Sequence, residues 1–437
     1  MHTLHKDGEF VCYPVQEWCG SSTAGGDHNV VFLGDDTPDF PYNAKGEHNR
    51  TFTWNEDMKG SGVDLGRWPI EELWLAYIDD PENHLIMPHV GGRRCIPDWH
   101  HPELERLIEI TSAWGHFGWL YQDVIARGYK LGASASGDEH RGRPGGGLPG
   151  TQVFGTKGGI TGIIADRLDR RTVGRALRAR HTFAAIGERL VGLARCGKHL
   201  QGDAFTMKAA AKIDYRFLGL QGWDEIAAYD HSGMIWHRDL QKETGFCARK
   251  VRIRWGGARI PDRYRWAEWR GKVSVINGTI NAFAGGGFEH PEESCWRAGP
   301  TDIGFRTDTY GDSDSVVVDI SNLARCRIRV AGRIDSYVKV GDPTAGNPFV
   351  HCPSFDWEVS GAELLASQGR LRLELGGCEL FVSIERIAAA PTPREVTGTL
   401  EIEPRNGPHG FRPVYFYGRQ TDDAKVWTSA MFIEFKK

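Results

Sequence analysis

The chain has 437 residues, with 53 Lys+Arg, 57 Asp+Glu and a formal charge of −4, which excludes a polycationic nucleic-acid arm and an acidic solvating tail. Hydrophobic residues at 40% and charged residues at 25% suffice for a sizeable core and exclude a disordered chain, and the length predicts two or three domains. The 55 glycines lie well above the usual ~7% with no three-residue repeat, so collagen is excluded and turns and close backbone approaches are expected.

Short apolar runs at 11–15, 30–33, 85–88, 107–110, 130–133 and 160–165 read as strands. Helical patterns lie between them. Pro69 sits at a favoured first helical position, and Ile70, Leu73, Trp74, Tyr77 and Ile78 follow at helical spacing. A second helix is predicted over 117–127, stopped by Gly128, and a third over 170–181. Strand and helix in alternation predict an α/β layer or barrel with parallel strands over residues 1–195. Beyond it the helical period gives way to two-residue alternation, as in Val251, Ile253 and Trp255 against Arg252 and Arg254, and again at 327–330, 370–375 and 399–402. Asn277-Gly278 and Asn406-Gly407 mark turns. Residues 196–437 therefore read as an antiparallel β-sandwich region, with two small sheets as one arrangement.

No apolar run approaches the ~20 residues of a membrane helix, and the N-terminus has no apolar signal core. A cytoplasmic protein without a membrane partner is expected. The nine cysteines are scattered, odd in number and free of C-x-x-C spacing, which predicts reduced thiols.

The densest chemistry lies in the Gly-rich loop from Gly132 to Gly145. Asp138 and His140, two apart, share one side of an extended strand end, and a carboxylate beside an imidazole suits a divalent metal. Four further strand positions carry ligand types: Glu17, His28, His89 and Glu109. Each alone also reads as a satisfied core histidine or a paired carboxylate.

These segments resemble the PHP superfamily, named for polymerase and histidinol phosphatase proteins, and in particular its large branch of uncharacterised function. The likeness rests on Glu17-Trp18, Gly26-Asp27-His28-Asn29-Val30, Pro88-His89, Ile108-Glu109-Ile110, Gly137-Asp138-Glu139-His140 and the run from Arg141 to Gly145. It continues through 158–163 and 176–184 and returns at Tyr415-Phe416-Tyr417-Gly418-Arg419 and Trp427-Thr428-Ser429-Ala430. The resemblance implies a distorted TIM-like barrel with a multi-metal site (Zn, Mn or Fe) that hydrolyses a small phosphorylated substrate. It makes Glu17, His28, His89, Asp138 and His140 metal ligands, and Glu109 a ligand or the support of one. Asp138 and His140 carry the proton chemistry, and Arg93, Arg94, Arg141 and Arg143 hold the phosphate. The family's opening H-x-H strand and D-H motif are missing, which implies a partial barrel and weak phosphatase activity.

A second reading makes the chain a catalytically inactive carbohydrate- or protein-binding relative, with Trp255, Trp266, Trp269 and Trp296 as aromatic platforms or as sandwich core. Nucleic acid is not expected. The arginines at 249–270 fit a solvated strand face, and those at 167–180 encircle a helix.

Overall fold

The computed structural model describes residues 4–20, 25–34, 53–54, 69–91, 95–112, 114–138, 156–257, 266–334, 354–376 and 379–436. In its first part the strands Val15–Gly20, Asp27–Phe32 and His84–His89 lie side by side and antiparallel, with the short Thr53–Trp54 parallel to the first. Helix Pro69–Tyr77 covers one face of this sheet. Its Ile70, Leu73 and Tyr77 recur at helical spacing and bury against Trp18, Val30, Phe32 and Ile86. Glu71 and Glu72 in its first turn suit the positive end of the helix dipole.

Leu107–Glu109 and Gly132–Ser134 pair in parallel across helix Gly118–Ala126. Among the described residues this is the one helical crossover that joins paired parallel strands. The helix stops at Gly128, whose φ of +82° only glycine adopts readily and where a Cβ would meet the His409 ring at 2.4 Å. The third helix, Arg170–Arg178, is capped by Asp169, whose carboxylate accepts from the Thr172 amide at 2.7 Å.

The expected α/β fold, a partial TIM-like barrel of the PHP type, is therefore corrected. The described chain is mostly strand, its sheets are dominated by antiparallel pairs, and it has five short α-helices. Short buried runs such as 30–33 and 85–88 are apolar in either kind of sheet, so their composition cannot give strand direction.

Gly159–Ile163 and Thr182–Ile186 begin a second sheet that the C-terminal strands complete. Its order is Ala204–Met207, Met431–Phe435, Arg412–Gln420, Lys425–Thr428, Thr182–Ile186 and Gly159–Ile163, and the hairpin Trp223–Asp230/Gly233–Asp239 adds to Arg412–Gln420. A four-stranded sheet, His199–Leu200, Val191–Cys196, Ala211–Leu218 and Glu395–Ile402, packs on this central sheet through Ile213, Phe217, Trp223, Phe416 and Ile433.

The described residues between 246 and 388 form a sandwich inserted between Gly233–Asp239 and Glu395–Ile402. One five-stranded sheet runs Thr279–Gly286, Ser313–Ser321, Phe246–Gly256, Phe381–Ala388, Arg370–Glu374. The other runs Ser294–Gly299, Asp302–Thr309, Ala267–Ile276, Arg327–Ile334, Ser354–Ser360. Asn277-Gly278 does not close a hairpin: its flanking strands belong to different sheets, and Asn277 at φ +62° turns the chain from one to the other. Val251, Ile253, Trp255, Trp269, Phe305 and Val316 fill the core.

Trp255 is fully buried, stacks on Phe305 at 4.0 Å and donates its indole N–H to Thr307 Oγ1 at 2.7 Å. Trp255→Ala is expected to destabilise the sandwich by about 3–5 kcal/mol in urea unfolding. Trp296→Ala, at a ring 47% exposed, should change it by less than about 0.5 kcal/mol.

Candidate functional site

Strand register decides where the predicted ligands point. Trp18, His28 and Pro88 share one row, flanked by the rows Glu17–Asn29–Met87 and Cys19–Asp27–His89. Alternation therefore sends His28 to one face of the sheet and Glu17, Asp27 and His89 to the other. On the helix-covered face His28 packs edge-on to Trp18, its Nδ1 lies 3.2 Å from Gly26 O, and its Nε2 lies 3.9 Å from Glu105. Glu105 is a buried carboxylate that the sequence does not single out. It accepts from Trp74 Nε1 at 2.9 Å and from the His101 amide at 3.2 Å, and pairs with His100 Nδ1 at 2.8 Å.

On the opposite face His89 Nε2 lies 3.5 Å from Glu17, and neither ring nitrogen of this buried histidine makes a hydrogen bond. Gly91 is required beside it: a Cβ there would stand 2.5 Å from the His89 ring and 2.9 Å from Asp27 Oδ2. Burial holds His89 down to about 3, helped by His28, and burial also lowers His28. Glu109 is buried and pushed up to about 8 by desolvation, against a hydrogen bond from Ser136 and with Asp138 and Glu17 adding repulsion. Asp138, half-buried, stands at φ +40° where the loop leaves Gly132–Ser134.

The structure thus brings Glu17, His89, Glu109 and Asp138 into one electrostatic neighbourhood and places His28 on the other face of the sheet, close enough to His89 to repel its proton. His140, Arg93, Arg94, Arg141 and Arg143 lie outside the described residues. Among the described residues no group of three His, Cys, Asp or Glu side chains could hold a metal ion. Among these residues the TIM-like barrel and the metal-binding cluster expected with it are therefore corrected, while the expected Asp138–His140 pair extends beyond them.

A second site lies where the central sheet meets the inserted sandwich. Arg252 and Arg254 alternate with Ile253: the isoleucine enters the sandwich core, and both guanidinium groups are buried on the other face. They meet Asp224 of the central sheet, whose Oδ2 lies 2.6 Å from Arg252, 3.0 Å from Arg254 and 3.3 Å from Arg419. Arg254 also donates to Asp423 at 2.6 Å, and Lys425 lies 2.7 Å from the same carboxylate. Arg419 reaches Glu225 at 3.0 Å, and Arg370 reaches Glu385 at 3.2 Å. Burial alone would raise these acids. Arg419 and its neighbours instead hold Glu225 well below the usual range, and Lys425 with Arg254 does the same for Asp423.

Above this floor opens a cleft of about 430 Å³, within the usual size of small-molecule sites. Trp119, Tyr229, Tyr417, Trp427 and Phe381 wall it. Tyr229 stacks on Tyr415 at 5.2 Å and meets Tyr417 edge-on at 6.4 Å, and Tyr417 leans on Trp427 at 5.1 Å. The Trp119 indole N–H and Arg419 Nη1 are buried donors without a hydrogen-bond acceptor.

Of the tryptophans singled out in the sequence, Trp255 and Trp269 are core, Trp266 is half-buried and stacks on Tyr310, and Trp296 is the most exposed. The cleft aromatics carry no such sequence signal, because 119, 229, 417 and 427 come from three separate stretches. Among the described residues no helix is long and apolar enough to cross a membrane. The chain matches no family model, no curated protein and no solved structure.

The Glu109 carboxyl gives a signed pH effect. The folded state keeps its proton to about 8, against an ordinary glutamate value of 4.5, so its contribution to stability is full below 4.5 and falls as pH rises towards 8, by up to ~1.4 kcal/mol per unit. Urea unfolding of EDTA-treated protein should show Glu109→Gln losing less stability than the parent between pH 5 and pH 8. Equal losses would contradict the assignment.

Proposed function

We propose that the chain is a carbohydrate-binding protein whose ligand, an acidic saccharide, seats in the cleft between the central sheet and the inserted sandwich. The observation that carries this reading is the joining of an aromatic wall to a buried charged floor in one opening of small-molecule size. Pyranose rings present apolar C–H faces that stack on aromatic side chains, while their hydroxyl groups need planar donors and acceptors such as guanidinium and carboxylate.

Charge selects the acidic class. Arg252, Arg254, Arg370, Arg419 and Lys425 face Asp224, Glu225, Glu385 and Asp423, and Arg372, Glu379 and Asp312 join them on the lining, so one cation is in surplus when Asp312 carries its proton. Burial raises the neighbouring Asp312 carboxyl, against the pull of Lys425, which favours its neutral form. A ligand carboxylate would neutralise the surplus through a charge-assisted hydrogen bond. Taking seven of these charged groups out of water is a poor route to stability alone, which favours a binding role for them.

Calorimetric titration with di- and trigalacturonate tests the reading. Binding is expected to weaken about tenfold in Trp119→Ala, which removes a wall ring and a free donor, and severalfold in Tyr417→Phe. The matching neutral cello-oligosaccharides should bind more weakly than the uronates. No uronate binding, or binding unchanged in Trp119→Ala, would overturn it.

A further inference from the structure

Far along the chain from the saccharide cleft, helix Arg170–Arg178 lines a cavity of about 480 Å³ together with Phe32, Leu33 and the segment around Glu82–His84. Arg170, Arg171, Arg175 and Arg178 all border it. We infer that this cavity is a binding site for a compact polyanion, a small molecule bearing two or more phosphate groups, which these arginines grip along one side of the helix.

Two of the four arginines are anchored and two are not. Arg178 is buried, donates to His84 O at 2.8 Å and Glu103 O at 3.1 Å, and lies 3.5 Å from Glu82. Arg170 donates to Cys12 O at 2.7 Å. These contacts fix the helix against the first sheet. Arg171, by contrast, has no hydrogen-bond or ion-pair partner among the described residues, and Arg175 makes a single hydrogen bond, to Thr172 Oγ1 at 3.4 Å, with the Asp169 carboxylate adding a more distant attraction. Arg171, Arg175 and Arg178 recur at spacings of four and three, so they lie along one side of the helix and repel one another. The acidic residues on the cavity wall relieve that repulsion at Arg178 alone. Asp80 accepts from the Asn83 side-chain amide, and Glu82 faces Arg178.

Unpaired guanidinium groups at the mouth of a cavity suit phosphate, because their planar forks match its oxygens bidentately. The size of the opening favours a small ligand over a nucleic-acid strand, which needs an extended basic track. The chain as a whole is acidic, so this concentration of positive charge is local. Phe32 beside His84, with ring centroids 5.6 Å apart, gives the cavity an apolar, aromatic flank for the body of the ligand.

The inference does not rest on the saccharide reading, and its test uses different probes. Sodium tripolyphosphate is titrated into the full chain, the double variant Arg171→Gln/Arg175→Gln, and Arg195→Gln as a surface control. Both cavity substitutions fall on exposed side chains, so thermal melting should be unchanged. Tripolyphosphate is expected to bind the parent and the control alike, and the double variant at least tenfold more weakly. No binding to the parent, or equal affinity in the double variant, would overturn the site. A 20-base-pair DNA duplex that binds more tightly than tripolyphosphate, and is lost in the same variant, would overturn the compact-ligand assignment.

Discussion

A single carboxylate sets the terms for the second half of this protein. Asp224 is buried on the central sheet, and one of its oxygens faces three guanidinium groups. Its other oxygen accepts from Gln241, whose own carbonyl accepts the Ala388 amide. Gln241 lies in the short helix that leads the chain out into the inserted sandwich, and Ala388 ends the strand by which it returns. Both crossings are therefore tied to the same acid. Removing one partner of a buried pair strands the others in low dielectric, which costs several kcal/mol, whereas a fully paired network holds a defined arrangement.

The cleft follows from that arrangement. Arg252 and Arg254 turn towards the central sheet because Ile253 must enter the sandwich core. The central sheet answers with Asp224, Arg419 and Asp423. Two of the wall rings stand on the same strands, with Tyr417 two residues before Arg419 and Trp427 two after Lys425, so one alternation places them with the floor, while helix Gly118–Ala126 supplies Trp119. Donors at the floor stay aimed at the opening because their ion pairs fix them, which is the preorganisation a polar ligand needs.

Much of the local structure was legible in the sequence. The helices at Pro69, after Phe117 and at Arg170 follow from a first-position proline, a stopping glycine and helical spacing. The apolar runs at 30–33, 85–88 and 107–110 lie on real strands. Direction was not legible, because a short buried run looks the same in a parallel or antiparallel sheet. That ambiguity let a set of strand-end histidines and carboxylates read as the rim of a barrel. The actual register puts His28 on the far face from His89, something only the pairing of three strands determines. Arg252 and Arg254 read as a solvated strand face because alternation reveals two faces without saying what covers the second. In sequence the arginines at 167–180 encircle a helix, and only the cavity beside it shows that 171, 175 and 178 share one side.

The Asp224 network joins the inserted sandwich to the central sheet. Native-state hydrogen exchange of the parent and Asp224→Asn, read strand by strand, tests this directly. In Asp224→Asn, Trp223–Asp230, Phe246–Gly256 and Arg412–Gln420 are expected to lose protection together, by tenfold or more, while the sandwich strands Ala267–Ile276 and Asp302–Thr309, which lie in the sheet that lacks Arg252 and Arg254, stay protected. Unchanged protection on both sides of the junction would contradict it.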